Sequence, residues 1–131
     1  MKRRQKNFGQ FVGDVITVWN ADHLCYMTLL KPFTYYDPAG FKWTADAGEV
    51  INGASTGWFF RRLFPAYVGW YRRATVLHDV YCVKRIRPSW AVHLMFYQAM
   101  RCDGTGPFQA YLLWIAVRLF GPRFKGKRII Q

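Results

Sequence analysis

Two histidines and an aspartate stand in apolar segments of the second half of the chain. His78 and Asp79 are adjacent, and His93 follows on the next apolar segment. An imidazole can act as a general base, and imidazoles and carboxylates also bind metal ions. Burying such groups without partners costs about 1–3 kcal/mol each. These three residues are therefore the candidate catalytic residues, and the sequence leaves open whether they hold a metal.

A second candidate site is a small polar loop followed by an aromatic and basic segment. The loop contains Asn52 and Ser55. Asn-Gly at positions 52–53 is typical of a turn, and Ser55 could cap the next segment; alternatively, the loop approaches a ligand near His78. We predict that both segments form a binding surface. Its residues are Asn52, Ser55, Trp58, Phe59, Phe60, Arg61 and Arg62.

Helices in the second half must position the histidines. The predicted helices run from Tyr67 to about Ile86, from about Trp90 to Arg101 with Ser89 as N-cap, and from Pro107 to Gly121. The connection at 87–89 is short, so the first two helices should be antiparallel neighbours. His78 and His93 can then approach each other. The alternative is that both are core histidines, hydrogen-bonded to carbonyl or hydroxyl groups.

The first half of the chain favours strands. Segments 15–19, 23–30, 33–36, 41–45 and 49–51 are rich in β-branched and aromatic residues, and turn residues such as those at 37–40 separate them. Strands followed by helices predict an α+β fold, with a small antiparallel sheet, an α-hairpin and a third helix. We expect a single domain over 1–131, with basic terminal arms at 1–9 and 122–131.

Composition limits the kind of protein. The chain has 131 residues, of which 52% are hydrophobic and 19% aromatic, so it can bury a substantial core. Its net charge of +12 favours acidic partners: nucleic acid, an anionic membrane surface or an acidic protein. Three cysteines without paired spacing indicate free, buried thiols. No segment is apolar enough to be a signal peptide or to span a membrane.

Several short motifs, taken together, resemble a known family. The matching residues are Gly48, Asn52, Gly53, Ala54 and Ser55, then Ala74, His78 and Asp79, then Phe96, Ala99, Met100 and Arg101, and finally Ala110, Tyr111, Ala116, Val117, Arg118 and Gly121. In this order they resemble small uncharacterised phage and prophage proteins, which are filed as a domain of unknown function. Such proteins are often encoded among phage tail and lysis genes. The resemblance spans roughly residues 30–121.

The chain departs from that family pattern at two acidic positions. Asn52 and His93 stand where the family has aspartates. The layout also echoes secreted phospholipases A2, which would imply that His78 is the general base and Asp79 a calcium ligand. A second histidine supports an imidazolium poorly, and calcium needs several oxygen ligands, which usually include carboxylates. Of the carboxylates, only Asp79 remains. The resemblance therefore implies that any ancestral catalytic activity is lost or altered.

The expected function is that of a phage virion protein, associated with the tail. It would be made in the host cytoplasm and would bind other virion proteins through its aromatic and basic surfaces and its basic ends. One alternative is a lipid- or cell-wall-directed hydrolase with His78 as base. Another is a nucleic-acid-binding protein, for which stacking aromatics and basic side chains are suited. The same aromatic and basic segment would also suit an anionic membrane surface. No cofactor is indicated.

Overall fold

The computed structural model describes residues 8–19, 27–51, 72–121 and 123–126. The strands are β1 Gln10–Val12, β2 Thr17–Trp19, β3 Met27–Leu29, β4 Phe33–Tyr36, β5 Lys42–Ala45 and β6 Val50–Ile51, and the helices are α1 Arg72–Lys84, α2 Ser89–Cys102 and α3 Pro107–Phe120. Strands come first and helices follow, so the predicted α+β class is confirmed.

The strands form two small sheets rather than the one that was predicted. Sheet A has the order β1-β4-β5, sheet B has the order β2-β3-β6, and every pairing is antiparallel. Side chains along β3, β4 and β5 alternate between buried and less buried positions, as expected when one sheet face covers a core. The buried face carries Phe33, Tyr35 and Trp43.

The helices pack against one another and close the core over the sheets. Helix α1 contacts both β5 and β6 as well as α2, and α2 contacts α3. The predicted antiparallel α-hairpin is therefore present. Helix α1 ends at Lys84, because Arg85 adopts a left-handed conformation with φ of 54°. The side chain of Lys84 forms an ion pair with Glu49 at 2.8 Å, which ties this helix end to sheet B.

The sequence analysis missed strand β1. This strand has only three residues, too few to show an alternating pattern, and a glycine with positive φ lies on each side of it. Its register is set by tertiary contacts instead. Phe11 packs against the ring of Tyr35, and the Tyr35 hydroxyl donates a hydrogen bond to the carbonyl of Phe8.

Two other details differ from the predictions. Ser89 is the first residue of α2, and Pro88 occupies the N-cap position. The Ser89 hydroxyl accepts a hydrogen bond from the Phe124 backbone N–H instead of capping α2, and the Ser89 N–H donates to the Phe124 carbonyl. Cys82 is buried as expected, Cys102 is only partly buried, and Cys25 lies outside the described ranges.

The predicted turn and the third helix are confirmed. Asp37 accepts backbone hydrogen bonds from Ala39 and Phe41, which shapes the connection between β4 and β5. Pro107 stands in the first turn of α3, and Gly121 is its C-cap residue. None of the helices within the described ranges is long and apolar enough to cross a membrane.

Candidate functional site

Helix α1 is buried almost all round. Residues 74–82 are all buried, because the sheets cover one side of the helix and α2 covers another. A helix in this position brings its polar side chains into the core together with its apolar ones. His78 and Asp79 are therefore both fully buried.

The two histidines meet across the α-hairpin, as the sequence predicted. Nε2 of His78 lies 2.9 Å from Nδ1 of His93, which is a hydrogen-bonding distance. His93 is also buried, and it is placed near the start of α2, where the antiparallel hairpin brings it beside the second half of α1. One ring nitrogen donates the shared hydrogen and the other accepts it.

Cys82 is the third member of this cluster, and the sequence analysis did not assign it to the site. Its Sγ atom lies 3.6 Å from Nε2 of His78. Cys82 follows His78 by four residues on α1, and residues at this spacing lie on the same face of a helix. The i, i+4 spacing was the signal that could have identified it. The ligand atoms of His78, Cys82 and His93 all lie within 4.8 Å of one another.

The surroundings of His78 are apolar and favour its neutral form. The ring of Phe96 packs against it with a centroid separation of 4.5 Å. Burial, and to a smaller extent the neighbouring His93, lowers the pKa of His78 from its usual 6.5 to about 3. With so low a pKa, His78 is almost entirely unprotonated at neutral pH. The same low pKa makes it a weak general base.

The phospholipase layout places the acid that orients the histidine base on the second helix, and His93 stands at that position. The described contacts of His78 are with His93, Cys82 and Phe96, and none of them is with a carboxylate. Asp79 is buried at the adjacent position on α1. Within the described part of the chain, the site is therefore an imidazole pair with a thiol rather than a histidine-aspartate dyad.

A cavity of about 480 Å³ borders this cluster at His93. It lies between the start of α2 and the second half of α3. Its lining residues are Ser89, Trp90, His93, Ile115, Arg118, Leu119 and Arg123. The cavity therefore combines apolar walls with two guanidinium groups, which suits a ligand that has an apolar part and a negative charge.

The other predicted binding residues lie outside the described ranges. These are Asn52, Ser55, Trp58, Phe59, Phe60, Arg61 and Arg62. Most of the two predicted basic arms also lies outside. Of their residues, 8–9 and 123–126 are described, and Phe124 lies against the start of α2 through its hydrogen bonds with Ser89.

Comparison with known proteins identifies relatives but gives no function. The chain is 31% identical over 115 residues to "Uncharacterized protein y4jT" of Sinorhizobium fredii (strain NBRC 101917 / NGR234), which covers 87% of this chain and 32% of the relative. It is 37% identical over 102 residues to "Uncharacterized protein y4iH" of the same strain, covering 73% of this chain and 41% of that relative. The chain thus spans well under half the length of these curated relatives.

No solved structure matches this chain significantly. A family model matches residues 27–117, from strand β3 to the last turn of α3, and its description is "Protein of unknown function (DUF1353)". The match includes His78, Asp79, Cys82 and His93, together with most of the two sheets. The chain therefore belongs to the DUF1353 family of proteins of unknown function.

Proposed function

We propose that this chain is a structural component of a bacteriophage particle, associated with the tail, that works by binding other virion proteins. The observation that carries this proposal is the outer surface of α3. In the described part of the chain, this helix has apolar residues on two opposite sides, one of them buried and the other largely exposed.

The inner face of α3 packs in the core, while an apolar stripe runs along the opposite side. The inner residues are Ala110, Leu113 and Val117, all fully or almost fully buried. The outer stripe consists of Phe108, Leu112, Ile115 and Leu119, whose spacing of four, three and four residues places them on one side of the helix. Phe108 is 76% exposed and Leu119 is 59% exposed.

The outer stripe continues into the cavity beside α2. Ile115 and Leu119 line this cavity, and so does Trp90, which is 66% exposed. Contiguous apolar surface of this kind is typical of protein interfaces, where aromatic anchors supply much of the binding energy. Arg118 and Arg123 flank the cavity. The complementary partner surface is therefore apolar in the middle and acidic at its edge.

The assignment to a phage particle is supported by the resemblance of the motifs to proteins encoded among phage tail and lysis genes. The net charge of the chain, +12, suits a partner with an acidic surface. The low basicity of His78 and the imidazole at position 93 also fit a binding role better than a catalytic one. The expected location is the virion, after synthesis in the host cytoplasm.

Quantitative mass spectrometry of purified phage particles tests this proposal. We expect peptides of this chain at a fixed copy number per particle. The double variant Leu112→Asp/Leu119→Asp should fold but should not be incorporated, because two charges on the outer stripe oppose burial against a partner. Gln109→Asp adds a charge to the same helix at an exposed position outside the stripe, and it should be incorporated normally.

Particles that lack the wild-type chain would contradict the proposal. Incorporation of the double variant at the wild-type level would show that the outer stripe is not the binding surface. Circular dichroism of both variants checks that the helices are intact, so that a folding defect is not mistaken for a lost interface.

A hydrolase that acts on lipid or cell-wall bonds, with His78 as base, is the second candidate. The observation that favours it is the cavity that reaches His93, since it offers a substrate access to the edge of the imidazole pair. Assays on envelope extracts would test it. Activity that is present in the wild type and lost in His78→Ala supports it, and an inactive wild type excludes it.

A further inference from the structure

We propose that His78, Cys82 and His93 bind one Zn²⁺ ion, which joins α1 to α2. The three side chains belong to two helices and converge in the core. His78 and Cys82 come from successive turns of α1, and His93 comes from the facing helix. None of the three ligands belongs to the outer stripe of α3, so the proposal goes beyond the binding function and does not depend on it.

One distance within the cluster already matches a tetrahedral zinc site, and the other two require side-chain movement. Zinc binds thiolate at about 2.3 Å and imidazole at about 2.0–2.1 Å, so tetrahedral angles place sulfur and nitrogen ligands about 3.6 Å apart and two nitrogens about 3.3 Å apart. The Cys82 Sγ to His78 Nε2 distance is 3.6 Å, and the distance between the two imidazole nitrogens is 2.9 Å. Zinc binding therefore requires the two imidazole nitrogens to move apart by about 0.4 Å. The ligand atoms of Cys82 and His93 lie within 4.8 Å of each other, and a rotation of the Cys82 side chain would bring them to the zinc-binding distance.

The ligand types select the kind of ion. Two imidazoles and a thiolate are borderline and soft ligands, which favour Zn²⁺ over the hard cations Ca²⁺ and Mg²⁺. On binding, Cys82 loses its thiol proton to solvent. The imidazole that holds the shared hydrogen keeps one proton by moving it to its other ring nitrogen, so that both facing nitrogens present lone pairs to the ion.

The cavity is lined by His93, so it is the side from which an ion from solvent would approach the cluster. Three protein ligands leave one coordination position, which a water or an anion from solvent fills in sites of this type. Arg118 and Arg123 line the same cavity and favour an anion there. A zinc ion held in this way would be a crosslink between two helices that are otherwise joined by packing and hydrogen bonds.

The competing interpretation is a hydrogen-bonded network with no ion, in which the shared hydrogen lies between the imidazoles and the thiol remains protonated. Cobalt(II) distinguishes the two, because a thiolate ligand gives it an intense charge-transfer absorption. The full-length protein would be purified without a metal-affinity tag, its zinc content measured, and the chelator-treated protein titrated with Co²⁺ and then with Zn²⁺.

We expect about one zinc per chain, and a thiolate-to-cobalt band that saturates at one equivalent and disappears when Zn²⁺ displaces Co²⁺. Cys82→Ser should lose the band and bind zinc at least about tenfold more weakly, whereas Cys102→Ser, a free thiol outside the cluster, should behave as wild type. Zinc should raise the melting temperature of the wild type and of Cys102→Ser but not that of Cys82→Ser.

Absence of zinc together with absence of the cobalt band in the wild type would overturn the proposal and leave the hydrogen-bonded network. This measurement is made on the wild type, so it does not depend on the folding of any variant. A band that persists in Cys82→Ser but disappears in Cys102→Ser would also overturn it, because it would place the metal at a different thiol.

Discussion

Nε2 of His78 lies 2.9 Å from Nδ1 of His93, so the core of this protein contains a hydrogen-bonded imidazole pair. In the family pattern that the sequence resembles, an aspartate stands at the position of His93. A carboxylate there would stabilise a protonated imidazole, whereas a second imidazole does not. Burial then holds the pKa of His78 at about 3. Without a bound ion, this pairing is a neutral, buried contact between two helices.

The imidazole pair should be energetically coupled. With a chelator present, we expect His93→Leu to lower the free energy of unfolding by about 1–3 kcal/mol, because it leaves a buried nitrogen of His78 without a partner. His78→Leu should lower the free energy of unfolding by a similar amount, because it removes the hydrogen bond to Nδ1 of His93. The double variant should cost less than the sum of the single variants, because it removes both polar groups together. Urea denaturation of the four proteins measures this, and strict additivity would contradict it.

The ion pair of Arg73 with Asp103 should contribute more than that of Arg73 with Asp14. Two guanidinium nitrogens of Arg73 lie 2.9 Å and 2.7 Å from Oδ1 of Asp103, whose side chain is 12% exposed. Asp14 lies 3.5 Å away and is 82% exposed. We expect Asp103→Asn to cost about 1–2 kcal/mol and Asp14→Asn less than about 0.5 kcal/mol in thermal or chemical unfolding. Equal costs would show that exposure does not decide the strength of these pairs.

Gly9 should tolerate a side chain much less well than Gly48. Both have positive φ, 95° and 89°, so alanine is strained at either position. A Cβ at Gly9 would also lie 2.1 Å from the carbonyl oxygen of Tyr36, whereas none of the described atoms lies within 4 Å of a Cβ at Gly48. We expect Gly48→Ala to cost about 1 kcal/mol and Gly9→Ala clearly more. A smaller cost at Gly9 would mean that β1 can move away from β4.

The ion pair of Lys84 with Glu49 should stabilise the folded protein at neutral pH, and this contribution should be lost at high pH. The pKa of Lys84 is raised above its usual 10.5, mainly by its hydrogen bond to Glu49 and then by Asp46. A raised pKa in the folded state stabilises the protein below the unfolded value, and this contribution falls as pH rises through the folded value. Lys84→Met should therefore cost about 0.5 kcal/mol at pH 7, after solvent screening, and nothing above the folded pKa.

Lys42→Met is the matched control, since Lys42 is an exposed lysine on strand β5. Guanidinium is unsuitable because it screens charge, so urea denaturation at several pH values is the measurement. If the free energy of unfolding differed by a constant amount between wild type and Lys84→Met from pH 7 to above the folded-state pKa of Lys84, the prediction would be contradicted.

The fold class was largely readable from local sequence patterns, and its sheet arrangement was not. Strand β4 and the turn at Asp37 follow from side-chain types that act over a few residues, and so does the first turn of α3 at Pro107. Strand β1 and the division into two sheets depend on which strands pair. Pairing is decided by contacts between residues far apart in sequence, such as Phe11 with Tyr35, and local propensity does not encode it.

The sequence by itself indicated a domain of unknown function. It also predicted the α-hairpin and the approach of His78 to His93, because a short connection forces two helices to lie side by side. Only the tertiary structure decided the environment of the two histidines. The sheets and α2 bury α1 on nearly every side, which desolvates His78 and brings Cys82 into the same space. Desolvation depends on everything that surrounds a side chain, and no spacing along the chain reports it.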